Sequence, residues 1–132
     1  MNKKNFMNSH ILGLGTDIIG IERIRHSIEN HGCRLISRVL TPKEQAYCLK
    51  YKDPIPHFAA RFSAKEAIVK ALGTGFTKQI SWQDIEIIND AFGKPVVYFS
   101  AKIQKKTKGT YMLLSMSHCK LYPTATALWT ND

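Results

Sequence analysis

The pattern of hydrophobic positions begins with a strand and a helix. Residues 11–21 read ILGLGTDIIGI, an apolar run interrupted by glycines, which predicts a buried strand whose backbone lies close to a neighbour. The following stretch places Ile21 and Ile24 on one stripe at helical spacing, with Arg23 and Arg25 turned away from it. This pattern predicts a helix on the protein surface.

Two further helices are marked by their ends. Residues 41–44 (TPKE) form a capping-box pattern with proline at the first helical position, so a helix begins there and runs to about Tyr51. Residues 57–72 (HFAARFSAKEAIVKAL) are rich in strong helix formers and are followed by Gly73, a natural helix stop. Large apolar side chains occupy one face of this long helix and alanines the opposite face, so we expect packing on two sides.

The second half of the chain reads as short strands around one helix. Strands are predicted at 85–89, 96–99, 111–117 and 124–129, and a lysine-rich helix at 101–108. This order of helices and strands along the chain is typical of an α+β fold with antiparallel hairpins. We expect a single domain over residues 11–132 and a short N-terminal extension over residues 1–10.

Composition narrows the class of protein. The chain has 132 residues, 44% of them hydrophobic, and no apolar run approaches the roughly 18 residues of a membrane span. Three cysteines without C-x-x-C spacing argue against a disulfide framework or a structural zinc site, and fit a reducing cytoplasm. Residues 1–10 do not read as a secretory signal. We therefore expect a cytoplasmic protein without a membrane partner.

The charge balance bears on partners. Lys and Arg number 19 against 10 Asp and Glu, which gives a formal net charge of +9. Such an excess attracts phosphates, nucleic acids or acidic proteins, or forms a solvated lysine surface with no role. Zinc-finger spacing, RNP-like aromatic motifs and a basic heptad region are all absent from the sequence, so we expect no nucleic acid partner.

Two carboxylates lie in apolar surroundings. Asp17 interrupts the first strand, and Glu66 lies at the edge of the apolar face of the long helix. An unpaired buried carboxylate is costly, and a pair with oxygen ligands alone indicates Mg²⁺. The alternative is structural, with Asp17 accepting backbone hydrogen bonds and Glu66 pairing with Lys70 at i+4.

Other polar residues allow two interpretations each. Arg61, Lys65 and Lys70 either bind a phosphate or extend past the apolar face to water. The Gly73-Thr74-Gly75 turn either cradles a phosphate through its N–H groups or only ends the helix. His118, at the end of a predicted strand, is a general base, a ligand contact or an ordinary surface histidine.

Four ordered segments resemble the holo-acyl-carrier-protein synthase family. They are GLGTDIIGIERI at 13–24, RFSAKEAIVKALGTG at 61–75, WQDIEIINDAFGKP at 82–95 and SHCKLYPTATAL at 117–128. Together they span almost the whole chain from Ile11 to Trp129. The length is that of the short, single-domain bacterial phosphopantetheinyl transferases.

The resemblance implies an activity and an assembly. The activity is transfer of the 4′-phosphopantetheine arm of coenzyme A to a serine of apo acyl carrier protein, releasing adenosine 3′,5′-bisphosphate and supporting fatty acid biosynthesis. The fold implied is the 4′-phosphopantetheinyl transferase-like α+β fold, with an antiparallel sheet and a long central helix. The assembly implied is a homotrimer with active sites at subunit interfaces.

The resemblance also implies residue roles. Asp17 and Glu66 take the family's metal positions for Mg²⁺, and Glu66 and Lys70 are the expected catalytic residues. Contacts to coenzyme A are expected from residues along and after the long helix and from one histidine, namely Arg61, Lys65, Gly73, Thr74, Gly75 and His118. Because acyl carrier proteins are acidic, Arg23 and Arg25 are expected to bind the carrier.

Two departures from the family pattern affect these expectations. Pro123 stands where alanine is usual, and proline lacks the N–H of a central strand, so we expect the last strand to start late or lie at an edge. Asn30, His31 and Cys33 replace more basic residues, which allows carrier docking to shift onto Arg34 and Arg38. A binding module without turnover and transfer to carriers of a secondary pathway stay open as alternatives.

Overall fold

The computed structural model describes residues 10–131, and residues 1–9 and 132 lie outside the described part, with most of the predicted N-terminal extension. In chain order the elements are β1 (Ile11–Ile18), α1 (Ile21–His31), α2 (Cys33–Val39), α3 (Pro42–Leu49), α4 (Ile55–Leu72), a 3₁₀ turn (Trp82–Asp84), β2 (Ile85–Asn89), β3 (Pro95–Phe99), α5 (Ala101–Thr107), β4 (Thr110–His118) and β5 (Pro123–Asn131).

The strands form two antiparallel sheets. One has three strands in the order β1-β5-β4, and the other is the β2-β3 hairpin. The α+β class and the antiparallel hairpins predicted for the second half are therefore confirmed. The long helix α4 begins two residues before the predicted start and packs across the three-stranded sheet.

The last strand departs from its prediction. β5 is the central strand and begins at Pro123 itself, so the expectation of a late or edge strand is wrong. Proline is tolerated because it is the first residue of the strand, where a missing N–H costs least. Its carbonyl is still used, accepting a hydrogen bond from the Ile19 N–H at 3.3 Å.

Close packing of β1 on α4 explains the glycines of the first strand. A Cβ at Gly13 would lie 1.8 Å from the carbonyl oxygen of Ala71, and one at Gly15 would lie 2.0 Å from that of Ala67. Only glycine permits this approach of strand to helix. The small-residue face predicted for α4 is thus the face that contacts β1.

The central helix lies between two cores. Its first turns, with Phe58 and Ala59, pack with α1, α2 and α3, and its later turns, from Ala64 to Ala71, pack with both sheets and α5. The packing expected on two sides is confirmed. The expectation that β1 is a buried strand is wrong for one face, because Leu14 and Ile18 point away from α4 and are more than 60% exposed.

Local signals account for the helix ends that were predicted and for the helix that was missed. The Thr41 side chain accepts a hydrogen bond from the Glu44 N–H, and the Glu44 carboxylate accepts one from the Thr41 N–H, which confirms the capping box of α3. α2 follows Gly32, which has φ 63° and provides no side-chain cap. The sequence therefore carried no start signal for α2. Within the described residues, no helix is long and apolar enough to cross a membrane.

Candidate active site

A cleft of about 520 Å³ opens between β1, α1 and α4. Its lining combines two acids, a base and polar residues with apolar walls: Asp17, Ile18, Ile19, Arg23, Ile24, Ser27, His31, Leu35, Phe62 and Glu66. The structure therefore brings together the two carboxylates that the sequence selected 49 positions apart.

Asp17 is positioned by the register of β1. It pairs with Ala125 of β5, a buried residue, so its side chain lies on the same face of the sheet as α4. The tight contact of Gly15 with Ala67 holds the end of β1 against the helix where Glu66 is located. The glycine motif thus places one carboxylate beside the other.

Lys70 joins this group from the next turn of α4. Its Nζ donates to the Asp17 carboxylate at 3.1 Å and to the Thr16 carbonyl at 3.0 Å. The Asp17 side chain is 15% exposed, so this ion pair is partly shielded from water. The i+4 alternative, with Glu66 bound to Lys70, is not the arrangement observed, because the ammonium bonds across to the strand.

The electrostatics of Glu66 follow from its surroundings. Burial, then the charge of Asp17, raises the pKa of the Glu66 carboxyl, and Lys70 partly offsets both. A further cation close to the two acids would stabilise the ionised form of the Glu66 carboxyl.

The donor set fits Mg²⁺. Asp17 and Glu66 provide hard oxygen ligands in one cleft, and Mg²⁺ is usually held by one or two carboxylates together with waters and substrate phosphates. Among the described residues there is no group of three or more His, Cys, Asp and Glu side chains that could form an all-protein cage. The geometry therefore matches a site completed by substrate and water.

Lys65 does not reach the cleft. Its side chain is fully buried, and its Nζ donates to the Glu44 carboxylate at 2.7 Å, the Val39 carbonyl at 2.6 Å and the Trp82 carbonyl at 3.1 Å. All three ammonium protons are used, so the prediction of a phosphate contact is wrong for Lys65. It is a core residue that joins α4 to α3.

The Gly73-Thr74-Gly75 turn is a helix stop. The Gly73 N–H donates to the Lys70 carbonyl, and those of Thr74 and Gly75 donate to the Val69 carbonyl. Because these N–H groups bond within the turn, the helix-stop alternative is the one observed. Both glycines have positive φ, 76° and 61°, which explains their presence. Contact of this turn with nucleotide through other atoms stays a prediction.

The two arginines of α1 have different surroundings. Arg23 lines the cleft. Arg25 donates to both oxygens of Asp53, at 2.8 and 3.3 Å, and to Glu22 at 3.4 Å. These contacts raise the pKa of Arg25 and lower that of Asp53. Of these two arginines, Arg23 is thus the one that lines the cleft.

Sequence reasoning missed part of the cleft. Ser27 and His31 follow Arg23 at i+4 and i+8 on α1, and Phe62 precedes Glu66 by one turn of α4. The helical spacing from Arg23 was a usable signal for Ser27 and His31. Arg61 and His118, expected at the same site, do not line this cleft.

The fold and the cleft can be compared with known proteins. A family model described as the 4′-phosphopantetheinyl transferase superfamily matches residues 13–127. The chain belongs to this superfamily. The match confirms that the chain is a phosphopantetheinyl transferase, as the four motifs predicted.

Individual relatives agree with the family model. A holo-[acyl-carrier-protein] synthase from Protochlamydia amoebophila is 52% identical over 120 residues, which are 91% of this chain and 98% of that relative. The crystal structure of the synthase from Neisseria meningitidis has a TM-score of 0.85 at 32% identity, covering 92% of this chain and 99% of the other. A synthase from Bacillus anthracis, solved in complex with CoA (3′,5′-ADP), has a TM-score of 0.80 at 34% identity, covering 92% and 98%.

Proposed function

We propose that this phosphopantetheinyl transferase moves the 4′-phosphopantetheine arm of coenzyme A onto a serine of apo acyl carrier protein, with Mg²⁺ as cofactor, and so supports fatty acid biosynthesis. The other product is adenosine 3′,5′-bisphosphate. One observation carries the proposal: Asp17 and Glu66 line a single cleft of a size suited to a substrate, and Lys70 donates a hydrogen bond to Asp17.

The two acids and the lysine would have different roles in the reaction. Asp17 and Glu66 would hold Mg²⁺, which when bound supplies a Lewis acid and a template for the diphosphate. The Lys70 ammonium, whose Nζ lies 3.1 Å from the Asp17 carboxylate, would bind a phosphate oxygen of the same diphosphate. The proton of the carrier serine would pass to the Glu66 carboxylate, to a water in the cleft or to a carboxylate of the carrier.

Carrier recognition is assigned to the α1 side of the cleft. Acyl carrier proteins are acidic, and Arg23 presents a guanidinium at the cleft, with Ser27 and His31 farther along the helix. Arg25 already has two carboxylate partners in its own chain, so its contribution to docking is smaller.

We further propose assembly as a homotrimer. The face of the three-stranded sheet that points away from α4 carries an apolar row, because Leu14 pairs with Leu128 and Leu128 pairs with Leu113. Leu14 and Leu113 are 63% and 49% exposed. A contiguous apolar face of this kind favours burial against other copies of the chain. Shared active sites would bring Arg61 and His118 of one subunit to the cleft of another.

Intact-mass spectrometry tests the activity. Apo acyl carrier protein is incubated with the enzyme, coenzyme A and Mg²⁺, and the expected result is a mass gain of one phosphopantetheine group. The gain should disappear with EDTA, with Asp17→Ala and with Lys70→Ala, and persist with Lys105→Ala, a matched change on the exposed side of α5. Absence of any gain across a panel of apo carriers, with the enzyme folded, would overturn the proposal.

A further inference from the structure

The 3₁₀ turn at residues 82–84 supports one wall of the cleft from behind. Two apolar side chains of that wall, Leu35 of α2 and Phe62 of α4, are half-buried and belong to different helices. Both helices are in contact with the turn through its first two residues, Trp82 and Gln83. The four motifs assigned no role to either residue.

The orientation of Phe62 depends on Trp82. The two rings are stacked, with centroids 4.8 Å apart and planes 28° from parallel. Trp82 also stacks on Phe76, with centroids 3.8 Å apart and planes 22° from parallel, so its own ring has little freedom to turn. Stacked aromatic pairs of this kind are favourable beyond the area that they bury. Trp82 therefore holds the Phe62 ring in one position at the cleft.

The position of α2 depends on Gln83. The helix has seven residues, and within the described part of the chain no side chain caps its start. So short a helix needs tertiary contacts to form. The Gln83 Nε2 donates to the carbonyls of Ser37 at 2.8 Å and of Leu40 at 2.7 Å, at the end of α2 where carbonyls lack partners within the helix. Gln83 therefore fixes the helix that carries Leu35.

The turn itself is held by residues outside the cleft. The Lys65 Nζ donates to the Trp82 carbonyl at 3.1 Å and to the Val39 carbonyl at 2.6 Å, which joins the turn to α4 and to the end of α2. The Ser81 N–H donates to the Asp84 carboxylate at 2.8 Å in a capping box. The turn is therefore a fixed support for the apolar wall.

The acid pair is held by other contacts. The backbones of β1 and α4 meet at Gly15 and Ala67, and Lys70 donates to Asp17 at 3.1 Å. Neither contact involves the 3₁₀ turn. A change in the turn should therefore move the apolar wall of the cleft and leave the acid pair in place.

We propose that Trp82 and Gln83 are positioning residues for carrier binding. Trp82 acts through the ring of Phe62, and Gln83 acts through α2. The inference rests on the proposed function, which assigns the α1 side of the cleft to the acyl carrier protein. A partner that binds a preformed wall avoids the entropy cost of ordering mobile side chains. The turn therefore contributes to carrier affinity and leaves the transfer step unchanged.

Steady-state kinetics with an apo acyl carrier protein tests the role of Trp82. Trp82→Leu should raise the carrier KM about fivefold, while kcat and the coenzyme A KM change less than about twofold. Trp82→Phe keeps a ring for stacking and should restore a carrier KM close to that of the wild type. Trp129→Leu, in the core beside the sheet, is the control for lost packing and should leave the carrier KM unchanged. Equal rises in both KM values, or a failure of Trp82→Phe to restore the carrier KM, would overturn this role.

Gln83→Met gives a second test on an exposed residue, which keeps the proposal testable if Trp82→Leu does not fold. Losing the donor to α2 should raise the carrier KM about threefold and leave the coenzyme A KM unchanged. Gln104→Met is the matched control, because the Gln104 Nε2 also donates to a backbone carbonyl, that of Phe99 at 2.7 Å, but on α5. A folded Gln83→Met enzyme with the carrier KM of the Gln104→Met enzyme contradicts the role of Gln83.

A double variant shows whether Trp82 acts through Phe62. The carrier KM of Trp82→Leu/Phe62→Leu should equal that of Phe62→Leu alone, since the ring that Trp82 positions is already missing. Fully additive effects of the two changes would refute the link. An active wild-type enzyme whose carrier KM does not respond to these variants defeats the inference alone. An enzyme that neither binds nor modifies any carrier defeats the proposed function as well.

Discussion

The ion pair between Lys65 and Glu44 is enclosed by the protein on all sides. Glu44 accepts the Thr41 N–H and Lys65 with one oxygen and the Ile87 N–H with the other, so the pair ties α3, α4 and β2 together. Burial lowers the pKa of Lys65, while the charge of Glu44 opposes that shift. Removing one partner leaves an uncompensated charge in the core.

Lys65→Met should therefore destabilise the protein by about 3–5 kcal/mol, because Glu44 would remain buried without a counter-ion. The double variant Lys65→Met/Glu44→Gln should recover much of this loss, since the amide oxygen still accepts from a backbone N–H and no charge remains. Urea unfolding of the three proteins gives both differences. A double variant as unstable as the single one would show that the charge is not the cause.

A second residue prediction concerns docking of the carrier. Arg23→Gln should raise the carrier KM about tenfold at low salt, because this guanidinium faces the cleft, and the effect should shrink as salt screens the attraction. Arg25→Gln should change the KM about twofold or less, since Arg25 is already paired with Asp53. Steady-state kinetics with an apo acyl carrier protein compares them. Equal KM changes would place docking elsewhere, such as on Arg34 and Arg38 of α2.

Residue patterns predicted the acids of the cleft but not the partners of the lysines. Asp17 and Glu66 are polar positions inside apolar segments, a signal that needs no knowledge of distant contacts. Lys65 gave the same kind of signal, yet its partner lies 21 positions earlier in the capping box. Only the tertiary packing of α3 on α4 separates a core ion pair from a phosphate ligand.

At the scale of elements, the strand β1 is fixed by what its glycines contact. Gly15→Ala should destabilise the protein by about 3 kcal/mol or more, because the new Cβ would lie 2.0 Å from a backbone oxygen of α4 that cannot move aside. Gly20→Ala is the control, with its closest contact at 3.7 Å. Thermal or urea unfolding measures both, and a similar small loss for the two would refute the close strand–helix contact.

The 3₁₀ turn and the helix α5 are joined by Asp84. Burial opposes ionisation of this carboxyl, but hydrogen bonds from the Ser81 N–H and hydroxyl, from Ser100 and from Lys102 lower its pKa to about 2. Because the pKa of Asp84 is lower in the folded protein than the ordinary 3.8, the ionised carboxylate stabilises the folded state at pH values above about 4. This contribution is lost as the pH falls from about 4 towards 2.

Asp84→Asn should consequently lower the free energy of unfolding by about 1–2 kcal/mol near neutral pH. The difference in this free energy between wild type and variant should become smaller below about pH 4. Urea unfolding of both proteins at a series of pH values measures this change. Glu29→Gln, an exposed carboxylate of α1, serves as the control with little effect at any pH. A difference that stays constant down to pH 2 would rule out the ionised carboxylate as its source.

Elements with explicit end signals were predictable, and elements without them were not. The proline and capping box located the start of α3, and Gly73 located the end of α4. α2 is only seven residues long and follows a glycine, so it is held by packing of Val39 and its neighbours in the helical core. The position of β5 could not be predicted from Pro123, because the order of the strands depends on the whole sheet.

For the whole molecule, the exposed sheet face sets the expected assembly. Wild-type enzyme should elute with a mass of about 45 kDa by light scattering, three times the 15.0 kDa chain. Leu113→Asp places a charge in the apolar row and should shift the mass towards that of one chain, with loss of carrier modification. Lys105→Asp, on α5, should leave the mass unchanged. A single-chain mass for active wild-type enzyme would refute the trimer.

The backbone contact of Gly15 with Ala67 also separates chemistry from recognition. Asp17 and Glu66 lie on two elements whose backbones meet at Gly15 and Ala67, so backbone contact fixes the spacing of the two elements at the acid pair. The opposite wall of the cleft is a helix whose Arg23, Ser27 and His31 project as ordinary side chains. On the proposed roles, we therefore expect carrier preference to diverge, or to be redesigned, on that helix while the acid pair keeps its geometry.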